Sequence, residues 1–356
     1  MLLQHDHRSE DPGSSDPERD RIRALPKAEL HVHLDGSLRP ETMLELARER
    51  GIPLPAWDAD GLRRHLVASD ARSLEDYLKA FEVTVSVMQD AAAIERIAFE
   101  LGEDQAREHV TYAEVRFCPL LNTRQGLTPD QVLDAALRGL GRADAAHGTR
   151  SAVIVCALRH LAPATSIALA ELAVQYRDHG VCGFDLAGAE AGNPVRDHAE
   201  AFAIAHASGV PVTIHAGEAF GPESIRQALD LGHAMRIGHG THLGRDPDLL
   251  EHVRDAGVTL EVCLTSNVQT GAASSYEAHP LRRYYDAGVS VTLATDNRLV
   301  SGVTLTDEYV HARDALDFSW DELVGIARNG FRRAFASAEL RAAMVGTLDE
   351  RASRLT

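Results

Sequence analysis

Two histidines separated by a single residue have the types and spacing to bind a metal ion. They are His31 and His33, and they lie in the stretch Glu-Leu-His-Val-His-Leu-Asp-Gly at residues 29–36. Because a β-strand repeats every two residues, a strand here would place both imidazoles on one face and point Val32 and Leu34 the other way. Two imidazoles on one strand face make half of a transition-metal site. The other half must come from later segments of the chain.

Polar residues that could complete this half-site follow several later apolar runs. They occur in the segments Asp185-Leu-Ala-Gly188, His215-Ala-Gly-Glu218, Gly238-His-Gly-Thr-His242, Thr265-Ser-Asn267 and Thr295-Asp-Asn297. We predict that His215 and Asp296 join His31 and His33 as the metal ligands. Three imidazoles and one carboxylate suit zinc, and such a ligand set leaves room for a water molecule.

Residues beside these ligands could carry out acid–base chemistry. Glu218 follows His215 after two residues, beyond the predicted strand, where its carboxyl group can reach a substrate rather than the metal. We interpret it as the proton donor to the substrate; the alternative is a helix N-terminal carboxylate that balances the helix dipole. His239 could hold the attacking water or accept its proton. His242 is interpreted as a supporting or structural residue.

The elements that must position these residues alternate regularly along the chain. After the strand that carries His31, strands are predicted at Val110–Phe117, Ala152–Leu158, Val181–Leu186, Val210–His215, Met235–His239, Val258–Leu264 and Val289–Ala294. Helix-like stretches lie between them, at 129–146, 166–179, 196–208, 222–232, 246–256 and 277–287. Near-continuous apolar strands that alternate with helices are typical of a parallel sheet covered on both faces. Eight such units predict an α/β fold, the (β/α)8 TIM barrel, in which catalytic residues lie at the C-terminal ends of the strands.

Additional helices are expected at two places outside the eight units. The segment from the first strand to about residue 109 has helical patterns and no strand-like run, and we expect it to cover the site. The last 50 residues are also expected to be helical, at Asp321–Ala327, Arg332–Phe335 and Ala338–Val345. An open doubly wound sheet is the alternative architecture, but no predicted strand is followed by the G-x-G-x-x-G motif typical of dinucleotide-binding folds.

The domain organisation follows from the composition of the chain. Residues 1–22 are mainly charged and small polar residues, which predicts a flexible polar tail. His5 and His7 within it repeat the spacing of the metal pair, but no apolar strand surrounds them. Residues 23–356 are predicted to form a single barrel domain.

The overall composition limits the classes of partner and the compartment. The chain has 356 residues, of which 44% are hydrophobic and 25% are charged, which is a normal globular balance. A net charge of −17 argues against a nucleic-acid backbone or an anionic membrane as partner. The four cysteines are far apart, without a C-x-x-C pair, and are typical of free thiols in a reducing compartment. Since we find no secretory signal and no apolar run near 18 residues in length, we expect a cytoplasmic protein.

Taken together, these motifs resemble one enzyme family. The segments His-Val-His-Leu-Asp-Gly, Asp-Leu-Ala-Gly, His-Ala-Gly-Glu, Gly-His-Gly, Thr-Ser-Asn and Thr-Asp-Asn, in this order, are similar to those of the adenosine deaminase family. The resemblance covers about residues 25–335 and implies hydrolytic deamination of adenosine and 2′-deoxyadenosine at purine C6, with inosine or 2′-deoxyinosine and ammonia as products. The two-metal form of such barrels needs a carboxylated lysine, usually after the fourth strand. Lys27 and Lys79 are the only lysines, and neither is near a late strand, so we expect one zinc ion per chain.

The resemblance also implies roles for individual residues. Glu218 would protonate purine N1, and His239 would act together with Asp296 on the attacking water. Gly188 would donate its backbone N–H to purine N3. Asp35 would contact the ribose 5′-hydroxyl group.

Asn297 stands where many members of the family have a second aspartate. The residue at this position faces purine N7, a hydrogen-bond acceptor, so an aspartate must be protonated there whereas an asparagine amide donates directly. We assign His33 to the substrate side of the site as well as to the metal. Other substrates remain open, namely free adenine and the 5′-substituted aminodeoxyfutalosine, although a carboxylate at Asp35 would repel the benzoate of the latter. A catalytically silent nucleoside-binding barrel is the non-enzyme alternative, which Glu218 argues against, and the oligomeric state stays open.

Overall fold

The computed structural model describes residues 16–71 and 73–355. The expectations for residues 1–15, including His5 and His7, lie outside that part of the chain. The predicted tail extended to residue 22, but helix α1 spans Pro17–Ala24. Asp16 caps this helix by accepting a hydrogen bond from the backbone N–H of Glu18, at 3.0 Å, and Ile22 is fully buried. The tail prediction is therefore wrong for residues 17–22, because an N-cap and one apolar anchor stabilise a helix in a polar segment.

Eight parallel strands run through the described part of the chain. They are β1 (Lys27–His33), β2 (Val110–Phe117), β3 (Arg150–Leu158), β4 (Val181–Ala187), β5 (Thr213–Ala216), β6 (Arg236–His239), β7 (Thr259–Val262) and β8 (Ser290–Leu293). Neighbours in sequence pair with each other within two four-stranded sheets, β1–β4 and β5–β8. Parallel bridges join the two sheets at both seams, Val32 to Asp296 and Phe184 to Val212. This order confirms the predicted (β/α)8 barrel.

Helices surround the strands and extend beyond them. Between β1 and β2 lie α2 (Pro40–Arg50), α3 (Ala59–Leu66), α4 (Leu74–Leu78), α5 (Ala80–Ser86) and α6 (Ala91–Arg107). The later helices are α7 (Pro129–His147), α8 (Pro163–Tyr176), α9 (Ala199–Ala207), α10 (Pro222–Asp230), α11 (Pro247–Asp255), α12 (Leu264–Gln269), α13 (Leu281–Asp286), α14 (Leu305–Leu316), α15 (Trp320–Arg333) and α16 (Ala338–Ala352). The helical insertion after the first strand and the C-terminal helices are as predicted. Within the described residues, no helix combines the length and hydropathy that a membrane span requires.

The end of the seventh strand differs from the prediction. The strand was expected to continue to Leu264, but β7 ends at Val262 and α12 begins at Leu264. The carboxyl group of Glu308 accepts the backbone N–H groups of Leu264 and Thr265, at 2.6 and 3.1 Å, and so provides the acceptor that the first turn of a helix requires. The Thr-Ser-Asn segment therefore lies on a short helix rather than on a strand end.

The C-terminal helices also differ in extent. The two segments predicted at 321–327 and 332–335 belong to one continuous helix, α15. Ser319 and Glu322 form a capping box at its start, and Phe331, near its end, is fully buried. Packing of an apolar side chain thus keeps helical a stretch that contains Asn and Gly, two residues of low helix propensity.

Candidate active site

Four residues form a cluster whose geometry fits a metal ion. They are His31, His33, His215 and Asp296, all buried, with ligand atoms within 4.8 Å of one another. Nε2 of His33 lies 3.2 Å from Nε2 of His215, and Oδ1 of Asp296 lies 3.4 Å from Nε2 of both His31 and His33. Zinc bonds of 2.0–2.1 Å in a tetrahedral site separate the ligand atoms by roughly 3.3–3.4 Å. Nε2 of His31 is buried and has no hydrogen-bond partner among the described residues, so the cluster could hold a metal ion.

Buried carboxylates orient the histidines of this cluster. Nδ1 of His31 lies 2.9 Å from a carboxylate oxygen of Glu261, and Nδ1 of His215 lies 3.0 Å from one of Asp185. Each ring therefore directs Nε2 to the centre of the cluster, as in the carboxylate–histidine–metal arrangement. Arg116 bridges the two carboxylates at 2.9 Å each and is itself fully buried. Arg116 and Glu261 were not predicted as site residues, because they lie within predicted strands where an apolar face was expected.

Nearby positive charges keep the carboxyl groups of Glu261 and Asp185 ionised. Burial raises the pKa of Glu261, but the charges of Arg116 and Arg236 outweigh it and hold that pKa well below its usual range. Burial also raises the pKa of Asp185, but the interactions with the imidazole of His215 and the charge of Arg116 outweigh it and hold that pKa well below its usual range. An ionised carboxylate is the form that accepts an N–H from an imidazole, so it favours a proton on Nδ1 of its partner and a free Nε2.

The backbone is left-handed where two strands deliver their site residues. His239 at the end of β6 has φ +63°, and Asp296 after β8 has φ +60°. Non-glycine residues rarely adopt this conformation, and it costs about 1–3 kcal/mol when it occurs. Two backbone hydrogen bonds with β1 hold Asp296 in this conformation. Its carbonyl oxygen accepts the N–H of His33 at 2.7 Å, and its own N–H donates to the carbonyl oxygen of His31 at 3.0 Å. Strand closure thus aims the side chain of Asp296 at the cluster.

Glu218 lies in a cavity of about 300 Å³ next to the cluster. Its carboxyl group is 4% exposed and accepts a hydrogen bond from the hydroxyl group of Thr270 at 3.1 Å. Burial raises the pKa of Glu218 well above its usual range, and the negative charges of Asp296 and Glu190 raise it further. A carboxyl group that stays protonated near neutral pH can donate a proton to a bound molecule.

Glu190 holds the loop that carries Glu218. One of its carboxylate oxygens accepts the backbone N–H of Gly217 at 2.6 Å. The other accepts those of Glu218, Ala219 and Phe220 at 3.0, 2.6 and 2.9 Å. Sequence analysis assigned no role to Glu190, because its spacing from the residues at 217–220 carries no signal of their contact in space.

His239 lies between Glu218 and α12. Its Nε2 atom is 3.5 Å from Oε2 of Glu218, and its Nδ1 atom is 3.0 Å from Nδ2 of Asn267. Burial lowers the pKa of His239 well below its usual range, which favours the neutral ring. His242, which we had expected to support the site or the structure, is half-buried, and its Nδ1 atom bonds the backbone carbonyl of Phe220 at 2.7 Å.

The residues predicted to contact the substrate line the same cavity. His33, Asp35, Gly188 and Asn297 all border it, together with Glu218. Asp35 is 4% exposed, and Oδ1 of its carboxyl group has no hydrogen-bond partner within the described chain. Burial raises the pKa of Asp35 to about 7. Gly188 has φ +91° at the turn that follows β4, and at that position glycine carries no steric penalty.

Asn297 packs against a residue that sequence analysis did not single out. Its Nδ2 atom donates to the hydroxyl group of Tyr77 at 2.9 Å, while its Oδ1 atom has no partner in the described residues. Tyr77 lies on α4, the short helix of the insertion that covers the cavity. A Cβ atom at Gly36 would lie 1.7 Å from Oδ1 of Asn297, so the close approach of the two loops requires glycine there.

Apolar side chains of the insertion line part of the cavity. Leu74 and Leu78 on α4, and Phe81 and Val85 on α5, line it. The cavity therefore combines an apolar wall with polar groups that converge at one end, as is typical of small-molecule sites.

Comparison with known proteins places these features in one family. The adenosine deaminase family model matches residues 26–351. The chain is 41% identical to the adenosine deaminase of Clostridium acetobutylicum, over 93% of this chain and 99% of that one. It is 42% identical to adenosine deaminase 1 of Streptomyces coelicolor, over 93% of this chain and 88% of that one.

Solved structures agree with this match. An adenine deaminase from Arthrobacter aurescens superposes with a TM-score of 0.86 at 27% identity, covering 92% of this chain and 98% of that one. The N6-methyl-AMP deaminase of Arabidopsis thaliana superposes with a TM-score of 0.82 at 29% identity, covering 93% and 98%. The resemblance inferred from the motifs is thereby confirmed: the chain belongs to the adenosine deaminase family.

Proposed function

We propose that this protein is a zinc-dependent hydrolase that converts adenosine and 2′-deoxyadenosine to inosine and 2′-deoxyinosine, with release of ammonia. The observation that carries this proposal is the buried carboxyl group of Glu218, whose pKa is raised beside a cluster of three histidines and Asp296. Protonated carboxyl groups beside metal-binding clusters suit the hydrolysis of a C–N bond, in which a ring nitrogen gains a proton as water attacks.

The metal would be held by His31, His33, His215 and Asp296, as one zinc ion per chain. Zinc, when bound, acts as a Lewis acid that makes water a stronger nucleophile near neutral pH. Support for zinc comes from the donor set of three imidazole nitrogens and one carboxylate, and from the separations of about 3.3 Å that fit its bond lengths.

The chain's own groups would then move the protons. Glu218 would donate its proton to purine N1, while His239 and Asp296 would orient the attacking water and relieve it of its proton. Two of these groups flank the same point, since Nε2 of His239 lies 3.5 Å from Oε2 of Glu218. The low exposure of both side chains, 1% and 5%, excludes bulk water from the proton transfer.

Substrate binding would use the polar groups along the cavity. Gly188 would donate its backbone N–H to purine N3, Asn297 its amide to N7, and Asp35 would bind the ribose 5′-hydroxyl group. His33 would border the substrate as well as the metal. The unpartnered oxygen of Asp35 favours a substrate that brings a hydroxyl donor, and disfavours one with an anionic 5′ substituent.

We further propose that the predicted domain of residues 23–356 also includes helix α1, whose Ile22 belongs to the core, and that this single domain lies in the cytoplasm. One hydrophobic core cluster extends from Ile22 to Ala352, which supports a single domain. All four cysteines are free, which supports a reducing compartment.

One assay tests the proposed function. The zinc-loaded protein is given one substrate at a time, and loss of the adenine chromophore is followed by ultraviolet absorbance. The substrates are adenosine, 2′-deoxyadenosine, adenine, AMP and a nucleoside with an aromatic carboxylate at the 5′ position. Turnover is expected to be fastest on adenosine and 2′-deoxyadenosine. Faster turnover of adenine, of AMP or of the carboxylate nucleoside would replace the proposed substrate, and binding without turnover would favour a silent nucleoside-binding barrel.

A further inference from the structure

Three hydrogen bonds connect His239 to a backbone N–H outside the cavity. The backbone N–H of Leu281 donates to Nδ1 of His279 at 3.1 Å. Nε2 of His279 lies 3.1 Å from Oδ1 of Asn267, and Nδ2 of Asn267 lies 3.0 Å from Nδ1 of His239. His239, Asn267 and His279 are 1%, 0% and 4% exposed, so water does not replace any member of this chain of bonds.

The direction of each bond follows from the first. A backbone N–H can only donate, so Nδ1 of His279 accepts and carries no proton. Burial lowers the pKa of His279 to about 3, so the ring is neutral and its single proton is on Nε2. That N–H donates to Asn267, and only the amide oxygen can receive it.

The amide of Asn267 passes this direction on to His239. With Oδ1 facing His279, the amide N–H group must face Nδ1 of His239 and donate to it. The opposite orientation of the amide would set two donors against each other at His279 and leave buried N–H groups unpaired, which costs about 1–3 kcal/mol per group. Nδ1 of His239 is therefore the acceptor, which leaves Nε2 as the ring nitrogen that carries the proton.

We propose that Asn267 and His279 are positioning residues that fix the proton of His239 on Nε2, so that His239 donates a hydrogen bond into the cavity and does not act as a base. This inference rests on the proposed function and refines it, because sequence analysis left open whether His239 holds the attacking water or takes its proton. An Nε2–H group can hold the water oxygen by donating to it, but it has no lone pair with which to accept a proton. The water's proton would then pass to the carboxylate of Asp296. As the water oxygen bonds to purine C6, the C6–N1 π bond would break, and its electron pair would take up the proton that Glu218 donates to N1.

The tautomer can be observed directly in the zinc-loaded full chain. The protein is labelled with 15N-histidine, and long-range 1H–15N correlation spectra distinguish protonated from unprotonated ring nitrogens. The signals of His239 are assigned by their loss in His239→Gln. We expect a protonated Nε2 and an unprotonated Nδ1 at His239. A proton on Nδ1, alone or together with one on Nε2, would overturn the proposal.

An isosteric variant tests the cause of the tautomer. In Asn267→Asp both side-chain oxygens accept, so Nδ1 of His239 is expected to gain a proton while the proton on Nε2 of His279 stays. If the signal of Nδ1 of His239 does not change in this variant, Asn267 does not determine the tautomer. Asn329→Asp is the matched control. Asn329 donates to the backbone carbonyl of Val291 and takes no part in the relay, by which we mean the hydrogen bonds that run from Leu281 through His279 and Asn267 to His239. This variant should leave the spectrum of His239 unchanged.

A second pair of variants tests His279. His279→Gln retains an N–H donor for Asn267 and is expected to retain the proton of His239 on Nε2. His279→Leu removes that donor, frees the amide to turn, and is expected to yield a mixture of the two tautomers. Equal spectra of His239 in these two variants would show that His279 has no part in the relay.

Kinetics provide a readout that a purely structural role would not produce. Because the tautomer matters to the attacking water and not to nucleoside binding, Asn267→Asp is expected to lower kcat by roughly 10²-fold while KM for adenosine changes by less than about threefold. A rise in KM as large as the fall in kcat would show that Asn267 acts in substrate binding instead. The spectra do not depend on turnover, so a protein that fails to deaminate adenosine would refute the proposed function and still report the tautomer.

Discussion

Replacing Glu190 by glutamine should weaken the hydrogen bonds that hold the loop of residues 217–220, which carries Glu218, the proposed proton donor. In the native protein its two carboxylate oxygens accept four backbone N–H groups, from residues 217–220. In Glu190→Gln one of these oxygens becomes an NH2 group. The single remaining oxygen is best placed where it accepts three of the four bonds, and the NH2 group then faces the N–H of Gly217 without an acceptor.

The size of the effect follows from these bonds. One buried N–H without a partner costs about 1–3 kcal/mol, and the remaining bonds weaken because they lose the negative charge. We therefore expect Glu190→Gln to lower the free energy of unfolding by about 2–4 kcal/mol, measured by urea denaturation with zinc bound. A displacement of the loop by about 1 Å would lower kcat on adenosine by roughly 10²-fold.

The pH profile separates this effect from a general loss of stability. In the proposed mechanism Glu218 donates a proton, so kcat/KM is expected to fall as pH rises through the pKa of Glu218. The negative charge of Glu190 raises that pKa, and its removal should shift the fall in activity to lower pH. Glu308→Gln is the matched control: the pKa of Glu308 is raised to about 8, so glutamine changes little charge near pH 7, and the profile should stay in place. If Glu190→Gln keeps native kcat and an unshifted profile, Glu190 does not act on Glu218.

Three further predictions follow from the same site. Glu218→Gln should retain zinc and the fold but lose roughly 10²–10⁴-fold in kcat; a loss below about tenfold would move the proton donor elsewhere. Elemental analysis of protein purified without chelators should find about one zinc per chain, and removal of zinc should abolish turnover; two metals per chain, or an active metal-free protein, would contradict the predicted ligand set. Replacing purine N7 by C–H, as in 7-deaza-adenosine, should lower kcat/KM by roughly 10–100-fold because the Asn297 amide loses its acceptor. In Asn297→Ala the values of kcat/KM on adenosine and on 7-deaza-adenosine should lie closer together.

Local patterns in the sequence were sufficient to predict the barrel and to select three histidines and an aspartate that the structure brings together in a group that could hold a metal ion. Successive side chains of the strand that carries His31 and His33 point to opposite faces, a pattern that can be read from neighbouring residues alone. The predicted bounds of β2 agree with those in the structure. His215, Glu218 and Asp296 each follow an apolar run, and the barrel brings the ends of these runs together. Topology thus converts a local signal into a shared site.

Contacts between distant residues account for what was missed. Glu308 starts α12 by accepting N–H groups more than 40 residues away in sequence, so no local pattern could distinguish this helix from the end of a strand. Glu190 and Tyr77 contact the site through hydrogen bonds of the same long-range kind, as does Asn267, which was selected as part of the Thr-Ser-Asn segment but given no role. The left-handed backbone at Asp296 is held by hydrogen bonds to β1, a segment more than 260 residues away in sequence, and no local pattern predicts it.

The left-handed backbone at His239 and Asp296 limits how this protein can be improved by selection. Glycine adopts a positive φ without a steric penalty, so glycine at either position would relieve about 1–2 kcal/mol of local strain. At the same time it would remove the side chain that the strand end presents to the cavity. Because both side chains are buried and hydrogen-bonded, their loss would also leave a cavity, which costs about 2–5 kcal/mol. Selection for heat resistance and selection for turnover are therefore both expected to retain the strained residues.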